Sequence, residues 1–431
     1  MEHRDALELS EGSRPELLAL LKDLIEAPSP YGSSAREAQQ RLGEYLEGNG
    51  FTVETTGDSG ESLREHPEFS PPPAAAEAPV NLVASPPESS SLTFFAHVDT
   101  EAAADGWTSP PCEATVRGTR VHGLGAADDK GGLAAAAVAA ALLSRAGEAA
   151  PRLVSVHGKG GGARGTLPVF AGMAPAESVY VHPPENGAGL GVLKSASRGV
   201  LDVDLRVTGW SGRPREIGSP ESAPFAEGGD ALDACLQLVE SLRRGELADC
   251  ELNLGRVVAG EAAGRTPVRC EAGIRVPFRG TRTVGGVLDA FRRAARADGF
   301  RYEVEPSGTR ANPARTAWDG PCSRGLRAAV AEVAHREPVE YADHLASDIR
   351  FPIRLWGTAS LGVGSAGGNF YGPDEWVDLD DLVRLVAVLT LFGARHGRWR
   401  PLGERPGPGL PAPAGIRESR AAPGSRRSRP R

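Results

Sequence analysis

The chain has 431 residues, 40% hydrophobic and 24% charged, with 54 Gly and 35 Pro. That length accommodates two or three domains, and the apolar content suffices for a sizeable core. A net charge of −8 speaks against a nucleic-acid partner, and no run nears about 18 apolar residues, so no membrane partner is expected. The opening MEHRDALELS lacks the apolar segment of a secretory leader. Five cysteines, widely spaced and without a CxxC pair, suit neither a disulfide framework nor a zinc knuckle and point to the cytoplasm.

The first third alternates helix and strand. Apolar residues at helical spacing predict helices over Pro15 to Ile25 and Ala35 to Gly48, followed by a strand over Phe51 to Thr55. The proline-rich stretch 57–79 reads as a surface loop. Leu92 to Phe95, Leu153 to Val156 and Val179 to Val181 read as buried strands, with an alanine-rich helix over Ala126 to Ser144 between the first two. From about Arg198 the texture changes. Val200 to Val207 alternates strictly, and the order that follows is helix 230–242, strands 252–258 and 268–276, helix 284–297, strand 300–304. That β-α-β-β-α-β order is a ferredoxin-like unit, inserted into an α/β domain that resumes with helix 323–335, strand 359–363 and helix 379–391. The expected division is 1–199 with 309–400 as a discontinuous α/β domain, 200–308 as the inserted domain, and 401–431 as a disordered Pro/Gly/Arg-rich tail.

Two segments carry chemistry. In Ala96-His97-Val98-Asp99-Thr100 a buried strand ends in an imidazole, with a carboxylate two residues on, the spacing of a metal-binding His whose other ring nitrogen is held by an acid. In Gly123-Leu124-Gly125-Ala126-Ala127-Asp128-Asp129-Lys130, Asp128 is expected at a helix start, where its carboxylate projects into a site at the sheet edge. The base composition adds a third signal. Only four of the 48 basic residues are lysines (Lys22, Lys130, Lys159 and Lys194), and a lysine kept against an arginine-favouring background is a candidate for work that needs a compact, titratable charge.

PSPYGSSAREAQQRL, AHVDT, DGWTSPPCEATVRGTRVHGLGAADDKGGLAAA and YGPDEWVDLDDL together resemble the acetylornithine deacetylase, succinyl-diaminopimelate desuccinylase and aminoacylase family of zinc hydrolases, over roughly residues 15–398. The resemblance implies a zinc-peptidase-like α/β domain of three layers with a ferredoxin-like lid, amide-bond hydrolysis of N-acyl amino acids or peptide-like small molecules, and a homodimer formed through the lid. It places His97 on a zinc ligand, Asp99 on its supporting acid and Asp128 on the carboxylate shared by two metals. It also places His182, in His182-Pro183-Pro184, where the family has a ligating carboxylate.

Other positions depart from the family. Lys159 stands where the general-base Glu belongs, Gly160 where a ligating Glu belongs, and Tyr371 on the late His ligand. No His occurs between His182 and His335, so the lid His is missing as well. The expectation is therefore one zinc ion or none, on His97, Asp128 and His182, with Lys159 standing in for the second metal beside Asp128 and Asp99. Lys159 and His157 are the proton-transfer candidates alongside Asp99, and Arg275, Asp348 and Arg350 the substrate-binding ones, with His344 just before the last two. Ser211, Arg213 and Arg215 lie in a loop where the lid His is expected and where guanidinium groups suit a carboxylate. Two alternatives stay open: a non-catalytic relative that binds ligand or a partner protein, and an enzyme turned to another acyl or amine reaction through Lys159 and His157.

Overall fold

The computed structural model describes residues 1–57, 61–71, 77–210, 229–262, 266–295 and 299–396. The loop with Ser211, Arg213 and Arg215 and the tail from 401 lie outside the described residues.

An eight-stranded mixed sheet forms the middle layer of the larger unit. Its central strands, Ala150–Val156, Ser89–His97, Glu177–Val181 and Ala359–Val363, run parallel, so their carboxyl ends share one edge. Side chains alternate across that sheet. Phe94 and Ala96 enter the core formed with helices Arg14–Ile25, Gly131–Arg145 and Leu379–His396, whereas Phe95 enters a second core with the short helices Thr166–Gly172 and Arg350–Trp356. Helices thus cover both faces. Residues 131–143 of the alanine-rich helix are all buried, and small side chains let it lie close to the sheet. Gly132 makes the closest approach. A Cβ there would stand 2.2 Å from the Val181 carbonyl oxygen and 2.4 Å from Asp129 Oδ1.

The inserted unit is a four-stranded antiparallel sheet in the order Asn253–Ala259, Arg269–Phe278, Ala196–Thr208, Arg301–Ala311. Its own core joins that sheet to helices Ala231–Arg244 and Val284–Ala294. Asp230 and Thr283 cap these helices by accepting backbone N–H groups of their first turns. The long strand Ala196–Thr208 spans the expected division at 199/200. Residues 196–198 pair with Ala314–Arg315 and His344–Leu345, while the rest pairs within the insert.

A third sheet of short strands, Thr115–Arg117, Arg120–His122, Gly367–Gly368 and Trp376–Asp378, has no counterpart in the sequence reading, because runs of two or three residues carry no readable periodicity. The expected helix start at Ala126 is also corrected. Asp128 (φ −125°, ψ 87°) and Asp129 (φ −141°, ψ 21°) leave the helical region and are joined by a cis peptide, and the regular helix begins only at Gly131.

Candidate metal centre

Two strand ends and one turn meet at the carboxyl edge of the large sheet. His97 closes Ser89–His97, His182 follows Glu177–Val181, and the turn before Gly131–Arg145 brings Asp128. The turn is held from outside by Glu375, whose carboxylate accepts the backbone N–H groups of Gly125, Ala127 and Asp128 at 2.8–2.9 Å. Glu375 fixes the direction in which Asp128 points, and the sequence reading gave it no such part.

Both imidazoles converge on one oxygen. His97 Nε2 is 2.8 Å and His182 Nε2 3.0 Å from Asp128 Oδ1. His97 Nδ1 is 2.9 Å from the Asp99 carbonyl oxygen and 3.6 Å from its carboxylate, so Asp99 supports His97 chiefly through its backbone. On His182, Nδ1 is 2.6 Å from Lys194 Nζ and 2.8 Å from the Pro183 carbonyl. An ammonium only donates, so beside charged Lys194 the His182 Nδ1 accepts and its Nε2 carries the hydrogen, 3.0 Å from Asp128 Oδ1 but not in hydrogen-bonding geometry with it.

The charges follow from this arrangement. Burial disfavours a proton on His97, but Asp128 outweighs it and pushes the imidazole up to about 9. Burial and then the Lys194 ammonium push His182 down to about 4. Burial alone would raise the Asp128 carboxyl, yet the two imidazoles hold it well below its ordinary range, whereas Asp129 is driven well above it by burial. Lys194, lowered by burial to about 8, is offset by Glu185, whose carboxyl Lys194 and His344 hold down against burial. His344 Nδ1 lies 2.6 Å from Glu185 Oε1. The cluster is thus two compensated pairs, His97 with Asp128 and Lys194 with Glu185.

This donor set fits a metal ion. With Nδ1–H of His97 donated to the Asp99 carbonyl, Nε2 is left to ligate; His182 reaches the same state only once Lys194 has given up its proton, so that Nδ1–H is donated to Pro183. Among the described residues, one trio of ligand atoms within 4.8 Å of one another contains Asp129 with the two imidazoles. Asp128 is the better donor of the pair. Both rings aim at it and it carries charge, whereas burial disfavours charge on Asp129, which accepts the His97 backbone N–H at 3.3 Å.

A cleft of about 200 Å³ opens from this cluster to the inserted unit. His97, Asp99, Asp128, Lys159, Arg275 and Asp348 line it; His157, His182 and Arg350 do not. Three of its non-glycine lining residues, Ala163, Ala346 and Tyr371, have left-handed backbone, the kind of strain that gathers at ligand sites. Lys159 is half-buried and forms no ion pair among the described residues, so the expected contact of its ammonium with Asp128 and Asp99 is not made. Asp99 Oδ2 instead accepts the Gly160 N–H at 3.2 Å. His157 is buried behind the cleft. Its Nδ1 accepts the Val80 N–H, its Nε2 has no partner, and burial lowers its pKa.

Arg275 lines the cleft, but its guanidinium is held by both carboxylate oxygens of Asp202 at 2.7 and 2.8 Å. Asp348 accepts the Thr166 hydroxyl at 2.6 Å. Arg350 is corrected from substrate binding to positioning. Fully buried, it pairs with Glu68 at 3.0 Å and Asp348 at 3.1 Å and donates to the carbonyls of Ala346 and Ser347. Tyr371 exposes 56% of its surface, and the nearby charge of Asp128 is the chief cause that pushes its phenol far up. A Cβ on Gly160 would stand 3.0 Å from Glu101 Oε1 and 3.3 Å from the Tyr31 ring. Glu101 therefore brings a carboxylate into the space beside Gly160. A single acid in an alanine run has no spacing to announce it.

An α/β domain with metal-ligand-type side chains at the carboxyl edge of its sheet and an inserted ferredoxin-like unit is of the zinc-peptidase-like class. Residues 93–394 match the Peptidase family M20/M25/M40, and the chain belongs to that family. It is 30% identical over 400 residues to a succinyl-diaminopimelate desuccinylase of Gluconacetobacter diazotrophicus, spanning 89% of this chain and 97% of that protein. It is also 30% identical over 322 residues to an N-acetyl-L-citrulline deacetylase of Xanthomonas campestris pv. campestris, spanning 70% and 81%. Among solved structures, a tripeptidase of Staphylococcus aureus superposes with a TM-score of 0.70 at 17% identity, covering 90% of this chain and 99% of that one. An aminopeptidase of Bacillus cereus gives 0.68 at 14%, covering 88% and 97%. These two likenesses concern the fold. No helix among the described residues is long and apolar enough to cross a membrane.

Proposed function

We propose that the chain hydrolyses an amide bond in an N-acyl amino acid or peptide-like small molecule, at a cleft holding at most one zinc on His97, Asp128 and His182. The observation that carries this reading is the convergence of two imidazole Nε2 atoms on Asp128 Oδ1 at the mouth of a substrate-sized cleft. The names of the relatives support it, a desuccinylase and a deacetylase that span most of the chain. A bound zinc supplies Lewis acidity, polarising a carbonyl and acidifying water.

This chain's own residues supply the rest. Asp99 fixes the His97 ring and, through Gly160, the loop that carries Lys159. Lys159 presents an ammonium without an ion pair to the cleft, suited to stabilise negative charge developing on a substrate oxygen. Asp348 and the Asp202-braced Arg275 border the far wall, where an acyl or amino-acid end would rest. Residues 200–308 act as the lid, and through it two copies pair; light scattering at micromolar concentration reads that state.

Gly160 and Tyr371, at positions where relatives carry ligands, favour a second reading: a protein turned to another acyl or amine reaction through Lys159 and His157, or to binding alone. The separating experiment is release of free amine from a panel of N-acyl amino acids and dipeptides by zinc-loaded protein, with chelator and His182→Ala as controls. The hydrolase reading expects turnover of at least one panel member, abolished by both controls. No turnover anywhere in the panel, or turnover indifferent to chelator, favours the second.

A further inference from the structure

The opposite edge of the large sheet carries another group of ligand-type side chains. Glu177 opens the strand Glu177–Val181, Cys322 lies in the first turn of helix Pro321–Ala334, and His396 ends helix Leu379–His396. One ligand atom from each, a carboxylate oxygen, a sulfur and a ring nitrogen, lies within 4.8 Å of the other two. Glu177 and Cys322 are buried. At about 3.3 Å per residue, the strand puts roughly 16 Å between Glu177 and His182, so this group is separate from the cleft.

We propose that Glu177, Cys322 and His396 form a structural site for one zinc-like divalent ion, which ties the last helix and helix Pro321–Ala334 to the sheet.

The donor types select the ion. A thiol with an imidazole and one carboxylate suits zinc or cobalt, whereas calcium and magnesium take oxygen ligands. Tetrahedral zinc sets its ligand atoms about 3.3–3.8 Å apart. The present contact of 2.6 Å between His396 Nε2 and Glu177 Oε2 lies below that range and the 4.8 Å envelope above it, so small side-chain rotations bring the three atoms onto one face of a tetrahedron. The imidazole is already oriented. It stacks on Phe392 at 4.9 Å and 16°, over Gly325, where a Cβ would come within 3.1 Å of His396 Nδ1. An ion pair of Glu177 with His396 would also tie the helix to the sheet, but it gives the buried sulfur no part. Metal binding does: the Cys322 S–H gives its proton to solvent and the sulfur takes the ion in its place.

The test uses the full-length protein, stripped with chelator and titrated with cobalt(II). The expected result is a near-ultraviolet thiolate-to-cobalt charge-transfer band that is absent in Cys322→Ser and saturates by one equivalent, or by two where the cleft also takes up cobalt. His396→Ala should weaken the affinity read from that band by at least about tenfold. No cysteine lines the cleft, so metal held there adds nothing to the band, and the result is independent of the hydrolase reading. Absence of the band in stripped wild-type protein at saturating cobalt overturns the proposal, as does a band that survives in Cys322→Ser. Should Cys322→Ser fail to fold, alkylation of the wild-type protein decides: cobalt must protect the Cys322 peptide, and equal labelling with and without cobalt rejects the site.

Discussion

Asp128→Asn keeps the shape of the side chain and removes the charge toward which His97 and His182 both point. In the wild-type chain burial works against a proton on His97, and Asp128 outweighs it to raise the imidazole to about 9. Measured from the ordinary 6.5, that is about 3 kcal/mol of preference for the charged ring. Because the folded value lies above the unfolded one, this contribution is fully present below about pH 6.5 and is lost as pH rises through about 9. Across that window metal-free wild type should therefore lose up to about 3 kcal/mol more stability than a variant without the Asp128 charge, the buried Lys130 and Lys194, whose lowered values act in the opposite sense, being common to both. In Asp128→Asn burial meets far less opposition, so His97 should titrate much lower, and the protein should start less stable and show little further loss. The assays are an NMR titration of the imidazole carbon-bound protons and urea unfolding at about pH 6 and about pH 9.5, both in chelator. A variant whose His97 still titrates near 9, or one that loses as much stability as the wild type between the two pH values, would refute the assignment of that proton to the His97–Asp128 pair.

Lys159→Met should lower kcat by about 10²–10³-fold, as loss of a charge-stabilising donor does, while urea unfolding shifts by less than about 0.5 kcal/mol because the half-buried side chain forms no ion pair. Arg350→Met should cost about 3 kcal/mol of stability in urea unfolding, since it strips a partner from the buried carboxylates of Glu68 and Asp348; a fully stable variant with only a raised KM would return Arg350 to substrate binding. Gly132→Ala forces a methyl to within 2.2 Å of the Val181 carbonyl and 2.4 Å of Asp129 Oδ1, and should destabilise by about 3 kcal/mol with a matching fall in metal affinity.

The sequence disclosed most where local pattern and tertiary role coincide. Strict alternation in Val200–Val207 is the physical signature of a half-covered strand, and the lid follows from it. His97 was legible because a buried apolar run ends on it with an acid two residues on. The conformation of Asp128 was not. Alanines on both sides give a continuous helical pattern, while the hold that extends the backbone comes from Glu375, far along the chain. Arg350 shows the same limit: its sequence neighbours look like a pocket motif, but Glu68, supplied by a distant loop, turns it into a buried brace. Lys194 stood out against the arginine background, yet only the folded chain brings its ammonium against His182.

The most direct test of the single-metal cleft is elemental analysis of Cys322→Ser protein after extensive dialysis against buffer with trace zinc. That variant removes the thiol of the lower cluster, so what remains reports the cleft. The account predicts at most one equivalent of zinc per chain, and any that is held should be lost when His182→Ala is added. Two equivalents in Cys322→Ser would contradict it, because Gly160 offers no ligand and a phenol pushed far above its ordinary range by the Asp128 charge is a poor one.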